Sequence, residues 1–208
     1  MKTTLLMTGA LALALVGCAT EPGTDTPDNT ATSGVTATPT VTPPAGETDT
    51  VEPAVLTVTS TDFADGEPMP ETVAGEGYGG QCTGPNTSPQ LAWDEVPAGT
   101  VAFAVSMTDP DAGNYVHALK ANIPAEVATI DSGAWDATEG IGGRNGLRGN
   151  GYFGPCPPQD THTYEFTVYA LSEPLDLEEG FGIWDFTAQV QDVTLAVGTL
   201  AGTYTPAP

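Results

Sequence analysis

The sequence predicts a mainly β fold: an antiparallel β-sandwich with a large central sheet, a smaller second sheet and a short peripheral helix. Three observations carry that expectation. Apolar residues recur with a period of two in several short stretches, segments rich in glycine and proline separate those stretches, and only one segment has the composition of a helix.

The elements follow in chain order. Val55-Leu56-Thr57-Val58-Thr59-Ser60 alternates and reads as one strand, and Pro89 to Trp93 reads as a short one. Val101 to Met107 is apolar almost throughout, as expected of a central strand covered on both faces. Tyr115 to Ile123 is a further strand, stopped by Pro124, which has no N–H for a ladder. In the segment Thr163 to Leu171, alternation places Tyr164, Phe166 and Val168 on one face and Thr163, Glu165 and Thr167 on the other. Trp184 to Gln191 suits one short helix, and Val193 to Tyr204 returns as a strand through Leu195, Val197 and Leu200. The run from Gly140 to Gly146 reads as a loop, and no internal repeat is visible. The folded region, residues 55–205, has about 150 residues, enough for one domain that buries roughly two-thirds of its unfolded surface.

Ahead of this domain the composition changes twice. Residues 1–17 read as a lipoprotein signal peptide: Lys2 supplies a positive start, and Leu5 to Val16 is apolar, uncharged and too short to span a bilayer. The stretch ends in Leu15-Val16-Gly17-Cys18, which resembles the bacterial lipobox, where cleavage leaves a lipid-modified cysteine at the new N-terminus. An ordinary signal peptide with an incidental cysteine is the alternative. Two or three acyl chains on Cys18 would anchor the chain stably, where a single chain holds only weakly. The expected location is therefore outside the cytoplasm, as a membrane-anchored lipoprotein of the bacterial cell envelope. Residues 18–54 are dominated by Thr, Pro, Gly and acidic residues with hardly a large apolar side chain, too little apolar surface to offset the entropy of ordering, and read as a disordered tether.

Charge excludes two classes of partner. The chain has 27 acidic residues against 4 basic ones, a net charge of −23. Once Lys2 is removed, only Lys120, Arg144 and Arg148 remain positive. Nucleic-acid binding needs clustered cations, so it is not expected, and neither is electrostatic docking on anionic head groups. A solvated acidic surface accounts for most of these carboxylates.

Both histidines lie in dense polar segments. The first is Asp109-Pro110-Asp111-Ala112-Gly113-Asn114-Tyr115-Val116-His117, where an apolar strand ends in a turn. The second is Gly151-Tyr152-Phe153-Gly154-Pro155-Cys156-Pro157-Pro158, whose end from Gly154 is a loop preset by its prolines, followed by His162-Thr163-Tyr164. His162 and Tyr164, two positions apart in a strand, face the same way. On the residues alone, Asp109 or Asp111 can simply cap its turn, and each histidine can be a satisfied structural one. No serine or cysteine nucleophile stands with a base at recognisable spacing, and no Cys-x-x-Cys or close Cys/His pair suggests a metal. Catalysis, cofactors and metals are accordingly not expected.

Together with Ser88-Pro89-Gln90-Leu91-Ala92-Trp93, these blocks resemble the phosphatidylethanolamine-binding protein family, in its bacterial Raf-kinase-inhibitor-like branch. The resemblance runs from about Leu56 to Tyr204. It implies a large antiparallel sheet beside a smaller one, and a small anion pocket lined by Asp109, Asp111, His117, Pro155, His162 and Tyr164. It also implies that Cys82 and Cys156 lie near one another, and an oxidising compartment would then favour a disulfide. The chain departs from the family pattern at Gly113, where proline is usual, at Ala118, where tryptophan is common, and at Thr163, in place of arginine. A looser turn, a wider pocket wall and one fewer cation are the expected consequences. The resemblance implies a binder of a small anionic or zwitterionic ligand, such as a phosphate ester or phospholipid head group, held at the membrane by its anchor. An interaction module or inhibitor acting on an envelope protease or another surface protein is the alternative, and a cryptic hydrolase is a third reading.

Replacement of the lipidation residue tests the anchor. Cys18→Ser is expected to abolish lipid labelling and to move the chain out of the membrane fraction. A processed chain that still fractionates entirely with membranes contradicts it.

Overall fold

The structure, a computed structural model, describes residues 54–75 and 82–207. The expected signal peptide, Cys18 and all of the expected tether except Ala54 lie outside the described residues. Nine strands and one helix follow in order: β1 (Ala54–Val55), β2 (Thr57–Thr59), β3 (Leu91–Asp94), β4 (Ala102–Asp109), β5 (Tyr115–Pro124), β6 (Thr129–Ile130), β7 (Ile141–Gly142), β8 (His162–Leu171), α1 (Ile183–Val193) and β9 (Thr194–Tyr204).

The strands form two sheets, one of six strands in the order β1-β9-β8-β4-β5-β7 and one of three in the order β2-β3-β6. Their pairings are antiparallel except at one edge, where β1 runs parallel to β9. This is the mainly β sandwich that the sequence predicts. β4 is buried along nearly its whole length and sits between β8 and β5. Its alternate residues enter two cores. Phe103, Val105 and Met107 pack toward the small sheet with Val58, Leu91, Trp93 and Ile130. Ala102 and Ala104 pack on the other side, where Phe181, Phe186 and Val190 cover the sheet from the loop before α1 and from α1 itself. The edge of Trp93 meets the Phe103 ring at 5.3 Å, joining the two sheets through aromatic contact.

Two expectations are corrected. The segment from Val55 to Ser60 is two strands in different sheets, not one. Leu56, 2 % exposed, marks the crossing: its N–H donates to the Val197 carbonyl at 2.9 Å, after which β2 pairs with β3. Alternation along a single segment cannot reveal that its halves pair with different partners. The run from Gly140 to Gly146 is not all loop, because Ile141 and Gly142 pair with Ala121 and Lys120 at the sheet edge. A two-residue strand carries no periodicity, so only its partner defines it.

Cys82 and Cys156 form a disulfide, with Cα atoms 5.8 Å apart and 74 positions of chain between them. It ties the segment after residue 81 to the proline-rich loop ahead of β8. In the chain-entropy model a loop of this length contributes roughly 4 kcal/mol. The double replacement Cys82→Ser with Cys156→Ser is therefore expected to lower the unfolding free energy by about that amount, seen as a lower urea midpoint. Thiol titration of the unfolded, unreduced chain should find neither cysteine free, and two reactive thiols at these positions would contradict the bond.

Candidate functional site

Three neighbouring strands of the large sheet bring four polar side chains together. Asp109 ends β4, His117 lies near the start of β5, and His162 and Tyr164 open β8. The antiparallel register of β4 with β8 runs from Ala102 opposite Leu171 to Thr108 opposite Glu165, and continuing it by one step sets Asp109 beside Tyr164. The register of β4 with β5 slips between Met107 and Thr108, which face Ala118 and Val116 respectively. His117 is thus the extra residue of a β-bulge. Such a bulge re-aims a side chain that strict alternation would send elsewhere. Here the His117 ring meets the Tyr164 ring edge to face at 5.1 Å, and His162 and Tyr164 lie 6.5 Å apart.

Asp109 organises the cluster. It is 3 % exposed, and both of its oxygens are in use. Oδ1 accepts from the Ala112 N–H at 2.9 Å and caps the short helical turn that follows β4. Oδ2 accepts from His162 Nδ1 at 2.7 Å. A carboxylate only accepts, so His162 carries a proton on Nδ1.

His117 is fixed in the same way. Its Nδ1 lies 2.7 Å from the Phe153 carbonyl, which only accepts, so Nδ1 donates. The Phe153 ring stacks on the imidazole at 5.5 Å. Burial lowers the His117 pKa below its ordinary value, while the Phe153 carbonyl and the Asp109 carboxylate oppose that shift. In its neutral form His117 therefore presents an accepting Nε2, and it donates from Nε2 only when protonated. Tyr164 is fully buried, and its hydroxyl lies within reach of the Asp109 carboxylate, which already accepts from Ala112 and His162, without a hydrogen bond of good geometry. Burial, and next the negative charge of Asp109, push its pKa far above the ordinary phenol value. It stays a hydroxyl, and thus a potential donor, at any ordinary pH.

The other expected site residues have different places. Asp111 is exposed, and its Oδ2 accepts from the Thr163 N–H at 2.7 Å, clamping the turn onto the start of β8. Pro155 is buried, and its carbonyl accepts from the Gly75 N–H at 3.3 Å. The nearby backbone donors are already engaged: the Phe153 N–H bonds the His117 carbonyl, and the Gly154 N–H bonds Asn86 Oδ1 at 2.7 Å. The turn at Gly113 is closed rather than loose. Gly113 takes φ 70° and returns its N–H to the Pro110 carbonyl.

Phe153, present in the second polar segment but given no role there, and Asn86 are the supporting residues that the structure adds. Asn86 spans the loop with both amide atoms, donating to the Tyr152 carbonyl at 3.2 Å while accepting from Gly154. A Cβ at Gly154 would collide with the Val73 carbonyl, so this close approach admits only glycine. The Asn86-Thr87 pair after a proline was the available signal, but its partners lie more than 60 positions along the chain.

Residues 59–205 match the phosphatidylethanolamine-binding protein family model. YbcL of Escherichia coli K12, a UPF0098 protein, is 38 % identical over 135 residues, covering 60 % of this chain and 73 % of that protein. A mycobacterial protein whose name marks it as a candidate lipoprotein, LppC of Mycobacterium tuberculosis H37Rv, is 35 % identical over 189 residues, covering 86 % of this chain and 84 % of LppC. The crystal structure of E. coli YbcL superposes with a TM-score of 0.68 at 31 % identity, over 74 % of this chain and all of that one. A homologue from Chlamydia trachomatis superposes with a TM-score of 0.66 at 28 % identity, over 74 % of this chain and 99 % of that one. The chain belongs to the phosphatidylethanolamine-binding protein family and has its binding-protein fold.

The depressed His117 pKa predicts a pH dependence. The stabilisation that goes with it is fully present above the unfolded value of about 6.5. It is lost as pH falls from there through the folded-state pKa, because over that window the unfolded chain takes up a proton that the fold refuses. The decline in unfolding free energy between pH 7.5 and pH 5, read from urea unfolding, is expected to be shallower in His117→Gln than in the unaltered chain. Parallel declines would remove His117 as a cause.

Proposed function

We propose that this chain is an exported, envelope-anchored binding protein, its domain at residues 55–205 carried on a tether from lipidated Cys18. Its ligand is a small anionic or zwitterionic phosphate compound, either a phosphate ester or the head group of a phospholipid. The observation that carries this reading is the Tyr164 hydroxyl, buried beside Asp109 without a well-formed hydrogen bond and set between two histidines whose Nδ1 atoms are already engaged. A buried hydroxyl left unsatisfied costs about 1–3 kcal/mol, a penalty that an oxyanion ligand would relieve. The likeness to LppC supports the anchor, and membership of the family supports a binding role.

The chemistry of the site follows from its protons. Tyr164 donates, and Asp109 fixes the ring of His162 so that its Nε2 is the nitrogen left for a ligand. Neutral His117 accepts at Nε2, which suits the ammonium of a zwitterion. Protonated His117 donates, which suits a simple anion. Asp109, with both oxygens engaged, acts as the orienting group. The acidic surface opposes approach to anionic membranes, so a soluble or zwitterionic ligand is favoured.

Calorimetric titration with phosphoethanolamine and with sulfate, whose charge stays constant over the range, tests this reading. Sulfate affinity is expected to rise between pH 7.5 and pH 5.5. His162→Ala and Tyr164→Phe should each weaken phosphoethanolamine binding about tenfold or more, the scale of a hydrogen bond to a charged group. No binding at millimolar ligand, or equal binding by both variants, rejects the proposal.

A further inference from the structure

A cavity of about 550 Å³ is lined by Val116 of β5 and by Arg144, Gly146, Arg148, Ile183 and Trp184 among others. Its volume falls within the range typical of small-molecule sites, roughly 300–1,000 Å³. Four observations make it unusual in this chain.

First, both arginines of the sequence line it. The remaining cations are Lys2, in the signal peptide, and Lys120, which is buried with Nζ donating to the Trp135 carbonyl. The accessible positive charge of a domain rich in carboxylates is thus gathered on one cavity. Second, neither guanidinium has an ion pair or a side-chain hydrogen bond among the described residues, where the ion pair present is His162–Asp109. Arg144 also borders a neighbouring cavity lined by four carboxylates, Asp176, Glu178, Glu179 and Asp185, none of which forms an ion pair with it among the described residues. Glu179 accepts from the Gly142 N–H and from Asn150, and Asp185 accepts from the Gly182 N–H.

Third, the hairpin that carries the arginines is held rigid at some cost. Buried Asn145 accepts from the N–H groups of Leu147 and Gly149 and donates to the Gly151 carbonyl. Gly146 bonds the Val116 carbonyl at 2.8 Å. Within this hairpin Arg148 adopts φ 65°, the left-handed region that disfavours a side chain, although a glycine follows it directly. Fourth, Trp184 projects from the first turn of α1 with 84 % of its surface exposed, while Trp93 and Trp135 are buried. A large exposed indole beside two unpaired guanidinium groups forms an apolar wall with a cationic end.

We propose that this cavity is a second binding site, separate from the histidine cluster, for a soluble amphiphile with an oxyanion head group. The head, a phosphate or carboxylate, pairs with Arg144 and Arg148, whose planar forks match it. The apolar part lies along Trp184, Ile183 and Val116. A monomeric amphiphile is the occupant in preference to a bilayer, because the domain's net negative charge opposes approach to an anionic membrane.

Trp184 reports on its own occupancy, since the other two tryptophans are shielded. Octyl phosphate, titrated below its micelle concentration, is expected to shift the emission to the blue and to protect it from acrylamide. Arg144→Gln with Arg148→Gln should weaken binding at least tenfold. The pair Arg144→Lys with Arg148→Lys should fall between, which separates loss of charge from loss of fold. His162→Ala should bind octyl phosphate as the unaltered chain does, so failure of this site and failure of the histidine site are told apart. Three results would overturn the proposal: no spectral change at millimolar octyl phosphate, equal binding by the glutamine pair, or equally tight binding of uncharged octyl glucoside. Capture of vesicles containing phosphatidylglycerol without binding of octyl phosphate would overturn it as well.

Discussion

Burial of β4 on both faces is the constraint on which the rest of this structure depends. A strand covered on both sides must take partners on both edges, because an unpaired N–H or carbonyl in that interior is costly. β8 and β5 fill those places, the small sheet covers one face, and α1 with the loop before it covers the other. Where β4 runs out of core it ends in Asp109, a carboxylate at the edge of the interior with both oxygens satisfied. The polar cluster is thus a consequence of where the central strand stops.

The site is held by contacts distant in sequence, and each answers a specific need. His117 reaches the cluster because β5 bulges, and the Phe153 carbonyl and ring then hold it. Phe153 is held by a loop stiffened by prolines, closed by the Cys82–Cys156 disulfide and bridged by Asn86. Rigid backing of this kind lowers the entropy lost on binding. Its consequence at Tyr164 is a hydroxyl held in the interior beside Asp109 without a well-formed hydrogen bond, which an over-determined surrounding can sustain.

Electrostatics divides the domain into a global and a local part. The domain, with 21 acidic residues against 3 basic ones in residues 55–205, surrounds itself with a repulsive field for anions, yet the two arginines stand together on one cavity and the two histidines in the polar cluster. Small anions respond to the local donors at close range, whereas extended anionic surfaces meet the summed charge, which salt screens only beyond about 10 Å. The same molecule can therefore accept an anionic solute and avoid an anionic surface.

By itself the sequence determined the fold class, the long strands and the blocks that carry the polar cluster. Those features rest on local signals: period-two alternation in β8, unbroken apolarity in β4, proline at the end of β5 and the run of prolines around Cys156. The tertiary structure alone decided what non-local pairing controls. It divided the first strand between two sheets, made Ile141 and Gly142 an edge strand, placed the bulge at His117 and gave Phe153 and Asn86 their roles. It also took Asp111 and Pro155 into backbone contacts and gathered Arg144, Arg148 and Trp184 on one cavity. A bulge or a two-residue strand leaves no periodic trace, and the direction of a side chain depends on register with a partner strand, which no local stretch of residues encodes.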